Sequence, residues 1–520
     1  PAFAQETTTT VVDLGLIGFN TLATVAPSLY YRPIDHFSAR SDAVGLGMGG
    51  ANLARLSGPL SVSWSPAGLA SVSALAVSVD GGVRKGSSST SGYPTGLTIP
   101  QAPPLFVTSY NVSQASAPRY GAIAAAVPIW SNSTQRLVGA LSWRRYNVTA
   151  APESAVLDLV LEQGGAIPVT IAKERTERGA VEAVGPSLAL RLLPGVDVGA
   201  NANFLTGRLR ASTSIDVNTG GGGGVVPGSQ RFTNTYRGLA LDIGGRAAIG
   251  DRIAVAATFS PSYTLEVTGG EFSTQSVGAP GAETVRIVAK VAGYDLEVPS
   301  ALSVGGEIKA TDRLRIAVDY DAQKMADAKV SYNGPVPFDT PNPHLPLDDG
   351  TSFHVGAEYV LFRPSWAEIP IRFGFRSTTI PYAQVDSSDY TYVYSYQNPN
   401  LTPEERRAIT TFETAGILYD GTPSGSAPDG TGFSFGISLR ADRIRYDLGA
   451  EFFNYKTHQF YFDSAWDPVL NPNPIEGTRR VVDDNGDYLP PTRVHPNMIN
   501  VDRTVSTFRL SATYTFPDFF

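Results

Sequence analysis

The C-terminal stretch, residues 505–516, alternates apolar and polar side chains. Phe508, Leu510 and Tyr514 fall on one face of an extended strand and Arg509 on the other, because successive side chains of a strand point to opposite sides. This pattern predicts either a strand of a soluble sandwich or a strand of a membrane barrel, whose apolar side meets lipid and whose polar side meets a lumen. Periodicity alone does not separate these two folds.

The apolar runs of the sequence are too short for helical membrane spans. None of them approaches the ~20 residues that a transmembrane helix needs. Insertion into a membrane therefore requires a closed barrel, whose strands carry a much weaker apolar signal, so a mean hydropathy of -0.06 is compatible with it. A chain of 520 residues would give roughly three ordinary domains, but an all-β barrel can form one long domain.

Composition excludes several classes of function. The absence of cysteine rules out disulfides, thiol catalysis and cysteine-ligated metals. The 40 basic and 48 acidic residues include no long basic tract, so nucleic acid is not an expected partner. The five histidines are scattered at no ligand spacing, and no Ser, His and acidic residue form a recognisable catalytic motif. We expect no enzyme activity, no cofactor and no metal site.

Hairpin patterns recur along the whole chain, as alternating segments on both sides of a short turn. Together they predict about fourteen strands, an even number as in single-chain bacterial barrels. Tight turns alternate with long connections, which is typical of barrels with short periplasmic turns and long extracellular loops. We place the tight turns near Ala115, Pro194, Gly250, Thr311, Pro364 and Asp442, and the long connections at residues 85–103, 131–178, 211–230, 269–297, 322–352, 381–430 and 457–502.

The predicted fold is an all-β, transmembrane antiparallel barrel over residues 73–516, with a short tail at 517–520. Residues 1–4 have the small-residue spacing of a signal-peptidase site and are interpreted as a signal-peptide remnant, followed by an N-terminal extension at 5–37. The expected location is the outer membrane of a Gram-negative bacterium. The last strand resembles the segment by which outer-membrane barrels are recognised and closed, with Phe508, Leu510, Tyr514 and Phe516 as the candidate signal.

Residues 38–72 are dense in Gly, Ala and Ser and show no alternation, which favours a compact set of short turns. The run from Gly45 to Ala51, followed by Trp64-Ser65-Pro66-Ala67-Gly68, resembles the N-terminal hatch of the FadL family of outer-membrane transporters for hydrophobic compounds. It is similar also to the PorV-like branch, whose members serve type IX secretion. Both usually have Asn where this chain has Ser65. The resemblance implies a hatch that plugs the lumen, built on Gly45, Gly47, Gly49, Gly50, Pro66, Ala67 and Gly68.

The resemblance continues into the strand region. Residues 186–200 and 298–319 are similar to the family's internal hairpins, so that the match extends from about residue 38 to residue 516. A barrel of fourteen strands is too wide to be filled by its own side chains, which is a separate reason to expect a plug. We expect Gly47, Gly49 and Gly50 to hold close-packed turns against the inner wall, and Pro66-Ala67-Gly68 to fix the exit into the first strand.

Polar groups on the face opposite the apolar band allow two interpretations. Mixed charges in a lumen need partners, so they predict a ladder that braces the wall and the hatch. Alternatively, some basic groups hold the carboxylate of an amphiphilic ligand by charge-assisted hydrogen bonds. The candidate residues for contact with the lumen or a ligand are Arg191, Asn201, Asn203, Lys309, Arg315, Asp319, Arg440, Arg445 and Arg509.

Two functions follow from the sequence. The first is a transporter that passes apolar molecules, such as long-chain fatty acids, by passive diffusion, with the lipid bilayer and an apolar small molecule, lipid or detergent as partners. The alternative is an interaction subunit like the PorV branch, which uses its long loops and N-terminal extension to hold a protein partner. A transporter should migrate as a lone barrel or a small oligomer, whereas a secretion subunit should carry stoichiometric companions.

Overall fold

The computed structural model describes residues 40, 42–55, 57–91, 105–114, 117–148, 153–162, 166–219, 223–269, 271–276, 285–290, 293–333, 349–379, 390–394, 415–419, 429–461 and 497–517. The predicted signal-peptide remnant, the N-terminal extension and residues 518–520 of the tail lie outside these ranges. Among the described residues, no helix is both long and apolar enough to span a membrane.

Helical structure in the described ranges is confined to short pieces. These are α1 (Ala43–Gly47) and three single 3₁₀ helices at Pro59–Ser63, Pro66–Ser71 and Met325–Asp327. The strands are β1 (Ala76–Ser91), β2 (Leu105–Gln114), β3 (Ala117–Ser131), β4 (Arg136–Val148), β5 (Glu153–Glu162), β6 (Ala166–Leu193), β7 (Val196–Thr219), β8 (Gly223–Ile249), β9 (Ile253–Ser260), β10 (Tyr263–Gly269), β11 (Glu271–Ser276), β12 (Val285–Lys290), β13 (Tyr294–Val298), β14 (Ala301–Lys309), β15 (Leu314–Gln323), β16 (Lys329–Tyr332), β17 (Gly350–Phe362), β18 (Ile369–Thr379), β19 (Tyr390–Tyr394), β20 (Ala415–Tyr419), β21 (Asp429–Ala441), β22 (Ile444–Tyr461) and β23 (Asn497–Thr515).

The sheet closes on itself. The first strand, β1, pairs antiparallel with β3 on one side and with the last strand, β23, on the other, where Ala76 lies opposite Thr515 and Ser91 opposite Asn500. Some wall strands are divided into consecutive shorter strands, and such a set is here called one line of strand. The strands β2 and β3 form one line, because both pair with β1: Arg84 lies opposite Ala117 of β3 and Ser87 opposite Ser113 of β2. The other such sets are β4 with β5, β9 with β10 and β11, β12 with β13 and β14, and β15 with β16.

Counted in this way over the described residues, fourteen antiparallel lines of strand form the ring. Each line pairs with its two neighbours, from β1 through β6, β7, β8, β17, β18, β21 and β22 to β23. The strands β19 and β20, which lie in the chain between β18 and β21, form a separate two-stranded ladder. The predicted fold, an antiparallel barrel of about fourteen strands, is confirmed.

One end of the barrel carries short turns. Those at Pro194-Gly195, Gly250, Thr311, Pro364 and Asp442 lie where the sequence predicts them. The turn predicted near Ala115 is wrong, because β2 and β3 both continue along β1 in the same direction. Residues 115 and 116 lie outside the described ranges, and the strands on both sides of them run in the same direction.

The sixth tight turn lies instead between β3 and β4. There the Asn132 side-chain oxygen accepts hydrogen bonds from the backbone N–H groups of Thr134 (2.9 Å) and Gln135 (2.6 Å). An Asn that bonds the backbone two and three residues on is a common way of forming a turn. This signal was present in the sequence, within a stretch that the sequence analysis assigned to a long connection.

The long connections were predicted too long. The stretch 131–178 contains β4, β5 and the start of β6, and the stretch 211–230 belongs mostly to β7 and β8, whose pairing runs on to Thr219 opposite Gly223. The stretch 269–297 contains β11 and β12, and β22 and β23 extend into 457–502. Extensions such as β11 (EFSTQS) carry few apolar residues, whereas β5 (ESAVLDLVLE) is apolar and was missed although its signal was present. Where a strand has no apolar face, apolar alternation predicts that it ends, although its backbone hydrogen bonds to the neighbouring strand continue.

The outer and inner faces of the wall differ sharply. On β21, Phe433 is 64% exposed and Phe435 50%, whereas Ser434 between them is 6% exposed and faces inward. The same alternation holds on β23, where Phe508, Leu510 and Tyr514 point outward and Ser511 inward, and it holds on β15 as well. An exposed apolar face on so many neighbouring strands is a continuous belt, which a soluble protein avoids and a bilayer requires.

Candidate functional site

Residues 42–55 and 57–72, here called the internal segment, pack inside the ring. The helix α1 lies against β18, β21, β22 and β23, and the two 3₁₀ helices lie against β1, β3, β4, β6, β7 and β8 on the opposite side. Ala43, Met48, Ala51 and Leu69 of the segment are fully buried. The segment therefore crosses the lumen from one wall to the other, near the end that carries the short turns.

The first half of the internal segment is a capped turn of helix. Asp42 accepts hydrogen bonds from the backbone N–H groups of Val44 (3.0 Å) and Gly45 (3.4 Å), and from the Asn52 side-chain amide (3.1 Å). After α1 the chain turns at Gly49 and Gly50, whose φ angles are 67° and 93°. These angles lie in the left-handed region that other residues adopt only with strain. The local fold therefore depends on glycine at both positions.

Glycines of the wall let the internal segment approach the barrel backbone. A Cβ on Gly47 would lie 3.0 Å from the Cα of Gly436 on β21, and a Cβ on Gly49 would lie 2.6 Å from the backbone nitrogen of Phe375 on β18. The wall glycines that face the segment in this way were not singled out from the sequence. A glycine inside a strand pattern often marks close backbone approach, and this was the available signal. These wall glycines are Gly199, Gly244, Gly305, Gly356, Gly374, Gly436 and Gly449.

The second half of the internal segment is held by apolar packing. Leu60, Val62, Leu69, Ala70 and Val72 form a buried cluster with the wall. Small side chains supply the wall's share of this contact, so the segment's larger side chains fit between them and the backbone. The wall residues of the cluster are Ala76, Ala122, Ala124, Ala126, Val138 and Ala189.

Polar groups of the wall hold the backbone of the internal segment. Asp319 of β15 accepts hydrogen bonds from the backbone N–H groups of Asn52 (2.6 Å) and Leu53 (2.7 Å). The His354 ring on β17 contacts the Gly49 carbonyl through Nδ1 (2.7 Å) and Asp321 through Nε2 (3.0 Å). Gly49, Asn52 and Leu53 lie outside the helices of the segment, where buried backbone groups need such partners. The wall therefore stabilises one specific path of the segment.

A second polar cluster lies under the other half of the internal segment. Arg144 of β4 donates to the Val62 carbonyl (2.9 Å) and pairs with Asp242 of β8 (3.4 Å), and Asn203 of β7 donates to Asp242 (2.9 Å). Asn201 donates to the same carboxylate (3.1 Å). One charge pair is thus surrounded by amides that complete its hydrogen bonds, which is the arrangement that a buried ion pair requires.

Each lumen candidate from the sequence has a partner in the wall, in the internal segment or, for Lys309, in the exposed turn after β14. Such contacts are what a bracing ladder would make, and the alternative role in holding a ligand stays a prediction. The pairs are Arg191 with Asp197, Asn201 and Asn203 with Asp242, Lys309 with Asp312, Arg315 with Glu307, Asp319 with the backbone of Asn52 and Leu53, Arg440 with Glu358, Arg445 with Asp447, and Arg509 with Asp80. Within the described ranges, no group of three or more His, Asp or Glu side chains is arranged to hold a metal ion.

The inner face changes character toward the end with the long connections. Leu205 of β7, Gly238 of β8, Leu265 of β10 and Leu296 of β13 lie side by side in one row across four lines of strand. The next row continues with Tyr236, Val267 and Tyr294, and all of these side chains are buried. The lumen candidates from the sequence were all polar residues. This apolar inner surface, defined by these two rows, was missed because no single strand carries more than two or three of its residues.

The protonation of Asp42 gives a first testable prediction. Burial, with a smaller contribution from the Asp447 carboxylate, raises the pKa of Asp42 to about 6. A raised pKa means that the folded state favours the protonated form, so this contribution to stability is complete below the unfolded pKa and is lost as the pH rises through about 6. The loss amounts to about 3 kcal/mol. We expect the temperature at which half of the protein shows the unfolded mobility in a heat-modifiability gel to be lower at pH 8 than at pH 4.

The matched variant for this experiment is Asp42→Asn, which keeps a cap acceptor for α1 but cannot titrate. The temperature midpoint of this variant should change less between pH 4 and pH 8 than that of the wild type. Parallel profiles for the two proteins would show that Asp42 contributes nothing to the pH dependence.

The fold has counterparts among solved structures. The chain is similar to a FadL homologue of Pseudomonas aeruginosa, with 11% identity, 92% of this chain and 98% of that chain covered, and a TM-score of 0.51. It is also similar to the monoaromatic hydrocarbon channel CymD (13% identity, 92% and 97% covered, TM-score 0.47) and to the toluene transporter TodX of P. putida (11%, 92% and 99%, TM-score 0.47). No protein-family model and no curated protein sequence matches the chain.

Proposed function

We propose that this chain, whose fold is that of the FadL homologue, is an outer-membrane channel for apolar small molecules. The observation that carries the proposal is the combination of a closed ring, an apolar belt on its outside and a buried apolar inner surface above the internal segment. The hatch-like motif within residues 45–70 supports the same function, because it resembles that of the FadL transporters.

The outer belt supports the location. Exposed Phe, Leu, Ile and Val side chains on neighbouring strands match the hydrocarbon part of a bilayer, and the strands of the closed ladder pair with a neighbour on each side. The end with the short turns, which also carries the internal segment, then faces the periplasm. The long strand extensions of β6, β7 and β8 stand outside the cell.

The apolar inner surface supports the choice of solute. An apolar molecule gains about 25 cal/mol for each Å² of apolar area that it buries. The rows around Leu265 and Tyr294, whose side chains are covered in this structure, supply an apolar lining on the outer side of the internal segment. Long-chain fatty acids and small aromatic hydrocarbons both fit this chemistry. We propose that the solute moves by passive diffusion, since the family that the motif resembles works in this way.

The test is uptake of a long-chain fatty acid and of toluene into liposomes that contain the purified protein. The variant Leu265→Asn places an amide in the apolar inner surface and should weaken capture by about 1.5–3 kcal/mol, or roughly tenfold or more. The control is Thr264→Asn, because this neighbour on the same strand points outward. Equal uptake by the wild type and by protein-free liposomes would contradict the proposal.

Sizing after gentle extraction addresses the alternative of an interaction subunit. A channel should elute as a lone barrel or a small oligomer of itself. Co-elution with a stoichiometric second protein, together with absent uptake, would favour the PorV-like role over the channel.

A further inference from the structure

Three arginines converge on one carboxylate oxygen where the internal segment meets the wall. Arg372 of β18 and Arg440 of β21 each lie 2.8 Å from Oε2 of Glu358 on β17, and Arg55 of the internal segment pairs with the same atom. A single carboxylate carries one negative charge, so these four side chains alone have a surplus of two positive charges.

The neighbouring acids do not remove this surplus. Each of the three arginines pairs with a second acid: Arg55 with Glu307, Arg372 with Asp447 and Arg440 with Glu368. The same acids also pair with three further arginines. In total, six arginines (Arg55, Arg315, Arg363, Arg372, Arg440 and Arg445) face four carboxylates (Glu307, Glu358, Glu368 and Asp447) in the described part of the chain. Asp42, which interacts with Arg445, still leaves one positive charge in excess.

Each of the three converging arginines also has a buried donor without a hydrogen-bond partner among the described residues. These donors are Nη1 of Arg55, Nη1 of Arg372 and Nε of Arg440. The Arg372 side chain is fully buried, and that of Arg55 is 6% exposed. A buried donor left unpaired costs ~1–3 kcal/mol, and more for a charged group. The unpartnered Oε1 of Glu358 and Oε2 of Glu307 can each share a bridging water with one donor, which leaves the third donor open.

We propose that Arg55, Arg372 and Arg440 form a binding site for one small monovalent anion, either a halide or a carboxylate. Such an anion balances the surplus charge and accepts the open N–H groups, since guanidinium donors form strong, charge-assisted bonds to anions. The site is reachable from the end with the short turns, where Arg440 is 25% and Arg315 is 42% exposed. Because Arg55 belongs to the internal segment and the other two to the wall, the anion links the two.

The direct test is anomalous diffraction from crystals of the full-length protein grown with bromide. We expect a bromide peak in contact with the three guanidinium groups. The variant Arg440→Gln should lose this peak and weaken bromide binding by about tenfold or more. The control variant is Arg191→Gln, a wall arginine of similar exposure, 28% against 25%, whose Asp197 partner also pairs with Arg246. It should keep the peak.

Competition distinguishes the two sources of the anion. Displacement of bromide by chloride and acetate alike identifies a site for small inorganic or organic anions from the periplasm. Stronger displacement by octanoate than by acetate identifies a site for the head group of an amphiphilic solute. Absence of a bromide peak in the wild type, or an undiminished peak in Arg440→Gln, overturns the proposal, and neither result depends on whether the barrel transports apolar molecules.

Discussion

Deletion of residues 38–72 is expected to give an inserted barrel with a large, nonselective conductance in planar bilayers. The strand ladder closes through β1 and β23 and does not include these residues, so the ring should still form. Its fourteen strands enclose a lumen that wall side chains do not fill, and barrels of sixteen strands leave an aqueous channel. The internal segment crosses this lumen, so its removal should open the pore. Heat modifiability on gels checks that the deleted protein still folds.

The control for this experiment is deletion of residues 5–37, which keeps the whole of residues 38–72 in the chain. Its conductance should stay near that of the intact protein. If the 38–72 deletion conducts no better than the intact protein, the internal segment is not the plug. The long connections at the opposite end must then close the pore.

Substitution of a single wall glycine should produce a weaker form of the same leak. A Cβ on Gly374 of β18 would clash with the backbone of Met48 and Gly49, which has no flexible side chain that can give way. Overpacking of this kind costs about 1–3 kcal/mol or more. We expect Gly374→Ala to displace the first half of the internal segment, to raise the conductance, and to expose the α1 amides to faster hydrogen exchange.

The matched control is Gly306→Ala, also a glycine in the middle of a wall strand. A Cβ there would lie 3.7 Å from the Ala254 carbonyl oxygen, which is an ordinary contact. This variant should show wild-type conductance and exchange. Normal conductance in Gly374→Ala would mean that the internal segment tolerates a shift, and that its glycine contacts do not hold the pore closed.

The alternation of side chains predicted the strands, and the pattern of short turns and long connections, with the hatch-like motif, selected the barrel. A strand such as β23 presents one apolar and one polar face regardless of its neighbours, because the period of two is a property of the extended backbone. The short turns at Pro194-Gly195 and Asp442 have local signals as well. The local signal was misleading at Ala115. The alternation of side chains is interrupted there, but β2 and β3 on either side pair with β1 in the same direction.

The sequence by itself determined the strand faces, most of the short turns and the composition of the segment around Gly47 and Gly49. Tertiary structure alone decided which distant groups meet: Asp319 with the backbone of Asn52, Gly374 with Gly49, and Leu205 and Leu265 with Gly238, which lies between them in the wall. The physical reason is that these contacts depend on the register of neighbouring strands and on the path of the internal segment. Both are set by pairing over hundreds of residues, and no periodicity within a single stretch encodes them.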